Sequence, residues 1–502
     1  MAFPQFQQLF SVSDIHLGGP KGFQIFDQGP ALAWLVDHLR DRECDGDLAL
    51  VLNGDIVDFL AEEPSMYLDA QGAVTKMERI IQDPSFSMVW KALGRFVRKP
   101  NRHLILVLGN HDVELALPEV RTLLQDTLCG QSDAARGRLT FAMDGNGFAC
   151  MVGNARTLCI HGNEADNWNV VDYLALNRVI RAQNRAQSIP EWTPNAGTKM
   201  VIDIMNDLKR KHRWVDLLKP EKKAVLPLLL TLNPEAKKKL PGLGSVLYRL
   251  GLDGLRKKMH LLSAEEIHSA VQDADDFERE ILMTLDEVPN AKDQELILEE
   301  MLSDLEEQVM NNEDPYRLLE AEDENLETLG YWRWIKDKVK DDPPEENIRK
   351  MLANWLADDK TWDLVNKDKS FYAIDKIVGK GIDFVLAGHT HLRRAIPRPN
   401  DPGVYLNSGT WIRLMAITKD MLDKEDQFSK LWQVLENGTM PVLDDPSKIG
   451  IDDFEVVRRI RTVTGLVANA NGKVRGELFE VDGDGPFELV PVINSQFFRP
   501  SN

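Results

Sequence analysis

Cysteine is scarce in this chain, and long hydrophobic runs are absent from it. The 502 residues include four cysteines, none in a C-x-x-C pair, so neither a disulfide framework nor a structural zinc site is indicated. The longest uncharged apolar stretches, such as residues 224–232, fall far short of the ~18 residues that a spanning helix needs. A cleaved signal peptide would require basic side chains near its start, and residues 1–5 contain none. We expect a cytoplasmic protein without a membrane span.

Positive charge is also in short supply. The chain has 60 Lys and Arg against 80 Asp and Glu, a formal net charge of −20. Binding of nucleic acid or of anionic membranes needs an extended positive surface, so the composition argues against both. Hydrophobic residues make up 43% of the chain, enough for at least one sizeable core. The length suggests two or three domains, or one domain with a large insertion.

Hydrophobic periodicity predicts alternating strands and helices in the first third of the chain. Short apolar runs at 9–12, 48–52, 104–108 and 157–160 are separated by helical patterns, one of them formed by Leu32, Leu35, Val36 and Leu39. This order predicts an α/β fold with right-handed crossovers and a largely parallel sheet. Further strands are predicted at 382–387 and 404–407, and 462–480 reads as a β-hairpin around Asn471-Gly472.

The middle of the chain has a different texture. Between about 170 and 375 the sequence is helical and highly charged, first basic and then acidic. We therefore predict a core made of residues 1–170 and 376–502, with residues 171–375 as a helical insertion. Such an insertion is a candidate cap over a neighbouring site or a surface for a protein partner.

Polar residues follow five of the predicted strands, at the point where each strand ends. Ligands of open α/β sheets bind beyond the carboxyl ends of the strands, so we expect these side chains to converge. The five clusters are Asp14 and His16, Asp55 and Asp58, Asn110 to Asp112, His161, and His389 and His391.

The chemical types in these clusters indicate a metal site. Carboxylate, imidazole and amide oxygen form a mixed donor set that suits Mn, Fe, Zn, Ni or Co, and the number of donors fits two ions. Glycine precedes Asp55, Asn110 and His389, which allows tight turns and a close approach of the backbone.

The five blocks D-x-H, G-D-x-x-D, G-N-H-D, H and G-H-x-H occur in this order, and the sequence thereby resembles the calcineurin-like metallophosphoesterase superfamily over 10–177 and 381–411. The resemblance implies an α/β fold, a four-layered α/β/β/α sandwich, here with a large, mainly helical insertion. It implies two divalent transition-metal ions, with manganese the first expectation. It also implies hydrolysis of a phosphate ester by a hydroxide shared between the ions, as a phosphodiesterase or phosphatase.

The resemblance also assigns roles to residues. Asp14, His16 and His391 would hold one metal, Asn110, His161 and His389 the other, and Asp55 would bridge them. His111 would point toward the departing oxygen as general acid, since an imidazole with a pKa near 6.5 can donate a proton at neutral pH. Asp58 would orient His111.

Four other functions stay open. A repair-type nuclease shares the fold, although the net charge of −20 speaks against it. Nucleotide-sugar-lipid pyrophosphohydrolases share much of the pattern but typically carry Arg at the position of His111. A protein phosphatase shares only the metal blocks, and a catalytically dead interaction scaffold of this fold would lack part of the ligand set.

Several residues near these blocks could have either a structural or a functional role. Asp112 is expected to cap a turn rather than to act as an acid or base. Arg393 and Arg394 follow the last block and would bind substrate phosphate or form surface ion pairs. Asn163 and Asp166, close after His161, are candidates to line a pocket.

Overall fold

The structure is a computed structural model. It describes residues 3–166, 169–195, 198, 201–202, 206–219, 344–356, 360–399, 401–437, 439, 442 and 457–499. The strands in this part of the chain are β1 (Gln5–Phe6), β2 (Gln8–Val12), β3 (Leu48–Asn53), β4 (Arg102–Val107), β5 (Leu139–Ala142), β6 (Phe148–Val152), β7 (Ala155–Cys159), β8 (Leu218–Lys219), β9 (Phe384–Ala387), β10 (Arg393–Pro397), β11 (Val404–Ser408), β12 (Arg413–Ala416), β13 (Val457–Arg459), β14 (Thr462–Ala468), β15 (Val474–Asp482), β16 (Glu488–Pro491) and β17 (Phe497–Arg499). The helices are α1 (Gly29–Asp41), α2 (Ala73–Gln82), α3 (Ser87–Arg98), α4 (Pro118–Cys129), α5 (Asp133–Arg136), α6 (Tyr173–Asn184), α7 (Asn206–Lys211), α8 (Pro344–Trp355), α9 (Lys369–Val378), α10 (Lys419–Leu422) and α11 (Glu425–Asn437).

The first sheet has the order β16-β15-β14-β2-β3-β4-β5, and β17 also pairs with β15. Its strands β2 to β5 are parallel, whereas β14 is antiparallel to β2. This arrangement confirms the predicted strands at 9–12, 48–52 and 104–108. The predicted hairpin is also confirmed, because β14 and β15 are antiparallel neighbours and Gly472 has a φ of 76° in the turn between them.

A second sheet has the order β1-β6-β7-β9-β11-β10. Strands β7, β9 and β11 are parallel to one another and confirm the predicted strands at 157–160, 382–387 and 404–407. Hydrophobic periodicity did not separate them from the first sheet, because a buried parallel strand has the same pattern in either sheet. A small third sheet has the order β13-β12-β8.

Helices cover one side of the first sheet. Helix α1 begins with Pro30 in its first turn, where the missing N–H has no cost, and it buries the predicted apolar face formed by Leu32, Leu35, Val36 and Leu39. This face belongs to a hydrophobic cluster that also contains Leu50 and Leu52 of β3 and the buried face of α3. Each such side chain contributes roughly 1.5–3 kcal/mol through its burial.

The opposite side of the first sheet shares a hydrophobic cluster with the second sheet. Val51 and Ile105 of the first sheet belong to the same cluster as Phe384 and Leu406 of the second. A further cluster joins α9 to the second sheet and contains Phe371, Ile374, Val385 and Tyr405. The protein therefore has a mixed α/β structure with several sheets.

The chain divides into two compact units. The first comprises residues 1–219, 358–417 and 437–502, and the second comprises residues 220–357 and 418–436. All three sheets lie in the first unit. In the second unit the structure describes α8, α10 and α11, and the predicted helices between 220 and 343 lie outside the described residues. We find no helix in the described ranges with the length and apolar character of a membrane span.

Candidate metal centre

The polar clusters lie at the carboxyl ends of strands from both sheets. Asp14, Asp55 and Asn110 follow β2, β3 and β4 of the first sheet, and His161 and His389 follow β7 and β9 of the second. Backbone hydrogen bonds hold the loops of the first sheet together, because the amide of Asp14 donates to the carbonyl oxygen of Gly54 at 3.1 Å. The predicted convergence is thus produced where the ends of two sheets meet.

Asp14, His16 and His391 form a compact group. Their ligating atoms lie within 4.8 Å of one another. Nε2 of His391 is 3.3 Å from Oδ1 of Asp14 and 3.3 Å from Nε2 of His16. Two imidazole nitrogens directed at each other beside a carboxylate are suited to share one cation.

Asp55 lies between two sets of imidazoles. Its Oδ2 is 3.3 Å from Nε2 of His161 and 3.8 Å from Nε2 of His16. Its other oxygen, Oδ1, accepts a hydrogen bond from the amide of His111 at 2.8 Å, which fixes the carboxylate plane. One oxygen of Asp55 is therefore available to both sides of the site.

His161 is oriented by a backbone carbonyl. Its Nδ1 lies 2.9 Å from the carbonyl oxygen of Asn53, so Nδ1 donates a proton to this oxygen and Nε2 is the nitrogen directed at Asp55 that a metal would use. Within the described residues, Nε2 of His161 and Oδ1 of Asn110 are buried without a hydrogen-bond partner.

His389 is close to His161 but has a different partner. The two rings are 5.4 Å apart between centroids, and Nε2 of His389 lies 2.9 Å from Oδ2 of Asp166. His389 is not part of the ligand groups found among the described residues. Its backbone amide donates to both oxygens of Asp14, at 3.1 and 3.0 Å.

His111 lies beside the proposed ligands and contacts Asp58. Nδ1 of His111 is 3.4 Å from Oδ1 of Asp58, and its ring lies 4.9 Å from the ring of His16. The same Asp58 oxygen accepts the amides of Leu60 and Ala61, which holds the carboxylate in place at the start of a short 3₁₀ turn. The side chain of His111 is 21% exposed, so solvent can reach it.

The backbone of the site is strained. Five of the eight described non-glycine residues with positive φ are Asp14, His16, Asp55, His389 and His391. The left-handed region costs about 1–3 kcal/mol for such residues and is concentrated at functional sites.

Two glycines leave room for this arrangement. A Cβ at Gly54, whose φ is +83°, would lie 2.3 Å from Nδ1 of His161, and one at Gly109 would lie 2.1 Å from Oδ1 of Asp55. Both distances are too short for any side chain. The sequence prediction that glycine permits a close approach before Asp55 and Asn110 agrees with these contacts.

The carboxylates and imidazoles of the site shift one another's pKa values. Burial opposes ionisation of Asp55, but the neighbouring His161, His111 and His16 outweigh it and hold the pKa of Asp55 well below its ordinary value. Burial likewise opposes the charge on His161, yet Asp55 and Asp14 raise the pKa of His161 to about 10. In contrast, burial of the His391 imidazole outweighs the stabilising effect of Asp14 on its charged form and lowers the pKa of His391 to about 4. A divalent cation would take the place of the proton that the carboxylates hold on His161.

Asp112 joins two loops of the site. Its oxygens accept the amides of Ile56 and Gly109, each at 2.7 Å, in agreement with the predicted turn-capping role. Burial, followed by the charge of Asp55, raises the pKa of Asp112 to about 7.

Sequence reasoning missed Asn53, which ends β3. Its Nδ2 donates to the carbonyl oxygens of Ile160 and Leu386, at 3.0 and 3.1 Å, and so ties the first sheet to the ends of β7 and β9. The available signal was an amide side chain at the end of an otherwise apolar strand.

The remaining candidates form specific contacts. Arg393 pairs with Glu480 at 2.8 Å and Arg394 with Asp368 at 3.3 Å. Both arginines therefore form ion pairs, although Arg394 is buried and its pair does not lie at the surface. Nδ2 of Asn163 donates to the carbonyl oxygen of Asn169 at 3.2 Å.

Residues 10–222 match the family model of calcineurin-like phosphoesterases. The match supports the calcineurin-like phosphoesterase superfamily for this part of the chain. The matched range contains the first four blocks, whereas His389 and His391 lie beyond it. No curated protein and no solved structure matches the chain. Similarity to this phosphoesterase family implies a hydrolase that acts on phosphoesters, and the groups around Asp14 and Asp55 are candidate ligands for divalent metals.

Proposed function

We propose that this calcineurin-like phosphoesterase hydrolyses a phosphate ester with two divalent metal ions, as a phosphodiesterase or a phosphatase. The observation that carries the proposal is the position of one oxygen of Asp55, 3.3 Å from Nε2 of His161 and 3.8 Å from Nε2 of His16. The first ion would be held by Asp14, His16 and His391, the second by Asn110, His161 and His389, and both by Asp55.

The donor atoms fit such ions. Oδ1 of Asn110 and Nε2 of His161 are buried without hydrogen bonds in the described part of the chain, and an unsatisfied buried polar atom costs about 1–3 kcal/mol. A cation would satisfy both atoms. Oxygen and imidazole donors suit Mn, Fe, Zn, Ni or Co, and we propose manganese. The second ion requires His389 to exchange Asp166 for the metal, or to ligate through Nδ1.

Ions at this site would lower the pKa of bound water and neutralise charge on the phosphoryl oxygens. The protein's own residues would position the reactants. Asp58 holds Nδ1 of His111 at 3.4 Å, which leaves Nε2 to donate a proton to the departing oxygen. Burial opposes the imidazolium, but Asp55 and Asp58 outweigh it and raise the pKa of His111 to about 9, so the ring carries the proton that a general acid needs.

We propose the four-layered α/β/β/α arrangement for the first unit. The cluster shared by the two sheets, together with the helices packed on the outer side of each sheet, supports it. We further propose that the helical insertion predicted at 171–375 contributes a cap that selects substrates, through its residues 220–357 in the second compact unit, with binding of a protein partner as the alternative. Location in the cytoplasm stays a prediction.

The proposed function is tested by metal content and activity together. Elemental analysis of the purified chain should find about two transition-metal equivalents, as a two-metal mechanism requires. A screen of phosphomonoesters, phosphodiesters, cyclic nucleotides, nucleotide sugars and single-stranded DNA with Mn²⁺ should identify one hydrolysed class. A metal-free chain with full activity would contradict the proposal.

A further inference from the structure

A cavity of about 210 Å³ in the first unit is rich in arginine. Its lining includes Arg393, whose Cα lies at most ~7 Å from the Cα of His391, two residues earlier in the chain. We call this cavity the arginine pocket. The lining residues important here are Trp362, Arg393, Arg394, Arg458, Arg459 and Glu480.

The lining contains four arginines and one glutamate. Three of the four arginines have an acidic partner inside or outside the pocket. The ion pairs are Arg393 with Glu480 at 2.8 Å, Arg394 with Asp368 at 3.3 Å, and Arg459 with Asp27 at 2.9 Å.

Arg458 has an aromatic contact in place of a carboxylate. Its guanidinium lies over the ring of Trp362, 4.7 Å from the centroid, a cation–π contact that fixes the group without neutralising it. No carboxylate of the described residues pairs with Arg458. Its Nε is buried without a hydrogen-bond partner within those residues.

Arg394 also keeps a donor unused. Its side chain is 2% exposed, and its Nε has no hydrogen-bond acceptor in the described ranges. Arg394 and Arg458 both line the cavity, and each has a buried Nε without an acceptor in the described residues, which is unfavourable. A ligand with several acceptor oxygens and negative charge would offset the positive charge of Arg458.

We propose that the arginine pocket binds a phosphate group, and that on a substrate with two phosphates it holds the one that is not cleaved. The planar guanidinium fork matches the oxygens of a phosphate. The cavity is smaller than the ~300–1,000 Å³ of a pocket for a whole ligand, so it suits one group of a larger substrate. The substrate half of this proposal rests on the proposed function, whereas binding of phosphate does not.

Calorimetric titration with inorganic pyrophosphate tests the binding. The full chain carrying Asp55→Asn removes binding at the metals, and it should still bind pyrophosphate. Adding Arg458→Met should weaken this binding by about 10- to 100-fold, the usual effect of losing a charged hydrogen bond. The matched control is Arg178→Met, at an exposed arginine of α6, which should leave the affinity unchanged. Equal affinity with and without Arg458, or no binding to the Asp55→Asn chain, would overturn the proposal.

Thermal unfolding of each variant shows whether the variant is folded. If Arg458→Met does not fold, Arg458→Lys keeps the charge but loses the planar fork, and it should still weaken binding of pyrophosphate. An unchanged affinity of a folded Arg458→Lys chain would then overturn the role of the guanidinium. If Asp55→Asn left metal content and activity intact, the proposed function would fail, while the comparison at Arg458 would still measure the pocket.

Inhibition of nitrophenyl phosphate hydrolysis distinguishes two ligands of the pocket, a second phosphate group of the substrate and free phosphate. If the pocket holds a second phosphate of the substrate, glucose 1,6-bisphosphate should inhibit wild type at least ten-fold more strongly than glucose 1-phosphate. Arg458→Met should remove most of this difference. Equal inhibition by the two sugars would overturn the substrate half of the proposal and leave free phosphate as the ligand.

Discussion

The backbone carbonyl oxygen of Asn53 lies 2.9 Å from Nδ1 of His161. The amide side chain of the same Asn53 donates to the carbonyl oxygens of Ile160 and Leu386. One residue at the end of β3 therefore joins the two sheets and sets which nitrogen of His161 is free to ligate. The geometry of the candidate metal centre depends on this contact, although Asn53 itself carries no charge and holds no proposed metal.

Asn53→Leu should destabilise the protein and disturb the metal centre. Leucine is similar in size but leaves the buried carbonyl oxygens of Ile160 and Leu386 without donors, at a cost of about 2–4 kcal/mol. Thermal unfolding should show a clear loss, whereas Asn146→Leu, at an exposed turn, should change stability by no more than ~0.5 kcal/mol. Equal effects of the two substitutions would show that the link between the sheets is unimportant for stability.

Asp55→Asn should lose metal from both positions and abolish turnover, because one oxygen of Asp55 faces both imidazole sets. His391→Ala should mainly empty one position, since its Nε2 contacts Asp14 and His16. Elemental analysis of the purified variants measures both effects. Asp144→Asn, at an exposed carboxylate, serves as the control and should retain both ions. A full metal complement in Asp55→Asn would rule out the bridging role.

His111→Gln should lower kcat by ~10² to 10⁴, the usual contribution of a general acid, with metal content unchanged. The loss should be smaller for nitrophenyl esters than for alkyl esters, because a good leaving group needs little protonation. Steady-state kinetics with both classes of substrate checks this dependence. The same loss for both classes would mean that His111 does not protonate the leaving group.

Gly109→Ala should displace Asp55 and so reduce metal content and activity. The added methyl group would lie 2.1 Å from Oδ1 and 2.3 Å from the backbone nitrogen of Asp55, far inside van der Waals contact. Gly137→Ala is the matched control, because its Cβ would find the nearest atom at 3.6 Å. Metal analysis and activity of both variants decide the matter. An active Gly109→Ala chain with normal metal content would show that Asp55 tolerates movement.

The sequence predicted best those features that a local residue pattern determines, namely buried strands, a tight turn and polar strand ends. Apolar runs located β2, β3, β4, β7, β9 and β11, and the Asn471-Gly472 turn located the hairpin. The polar residues at strand ends predicted the convergence of Asp14, Asp55 and His161, because ligands of open α/β sheets bind beyond the carboxyl ends of the strands.

The missed features depend on contacts between distant segments. Strands such as β10 and β13 are short and carry arginine, so their local pattern is not that of a buried strand. The division into two sheets follows from packing between residues far apart in the chain. The role of Asn53 was missed for the same reason. Its partners Ile160 and Leu386 are 107 and 333 residues away, and no local sequence pattern indicates them.

Both ends of the predicted insertion contain side chains of the core. Tyr173, Leu176 and Val179 of α6 belong to the cluster on the helix-covered side of the first sheet, and Ile374 of α9 belongs to the cluster on the second sheet. A deletion of all residues 171–375 would therefore unfold the core for reasons unrelated to substrate selection. A useful deletion has to begin and end where the second compact unit does.

Replacing residues 220–357 with a short Gly/Ser linker should leave two metals bound and nitrophenyl phosphate hydrolysed, because the proposed ligands all lie in the first unit. If the segment is a cap, kcat/KM for the best substrate of the screen should fall steeply, since a cap contributes recognition and exclusion of water. A soluble variant with unchanged selectivity would eliminate the cap and favour a protein partner. An insoluble variant would indicate that the segment completes a hydrophobic core instead. Phe428, Leu431 and Leu435 of α11 are fully buried, and they belong to the same compact unit as the deleted residues 220–357.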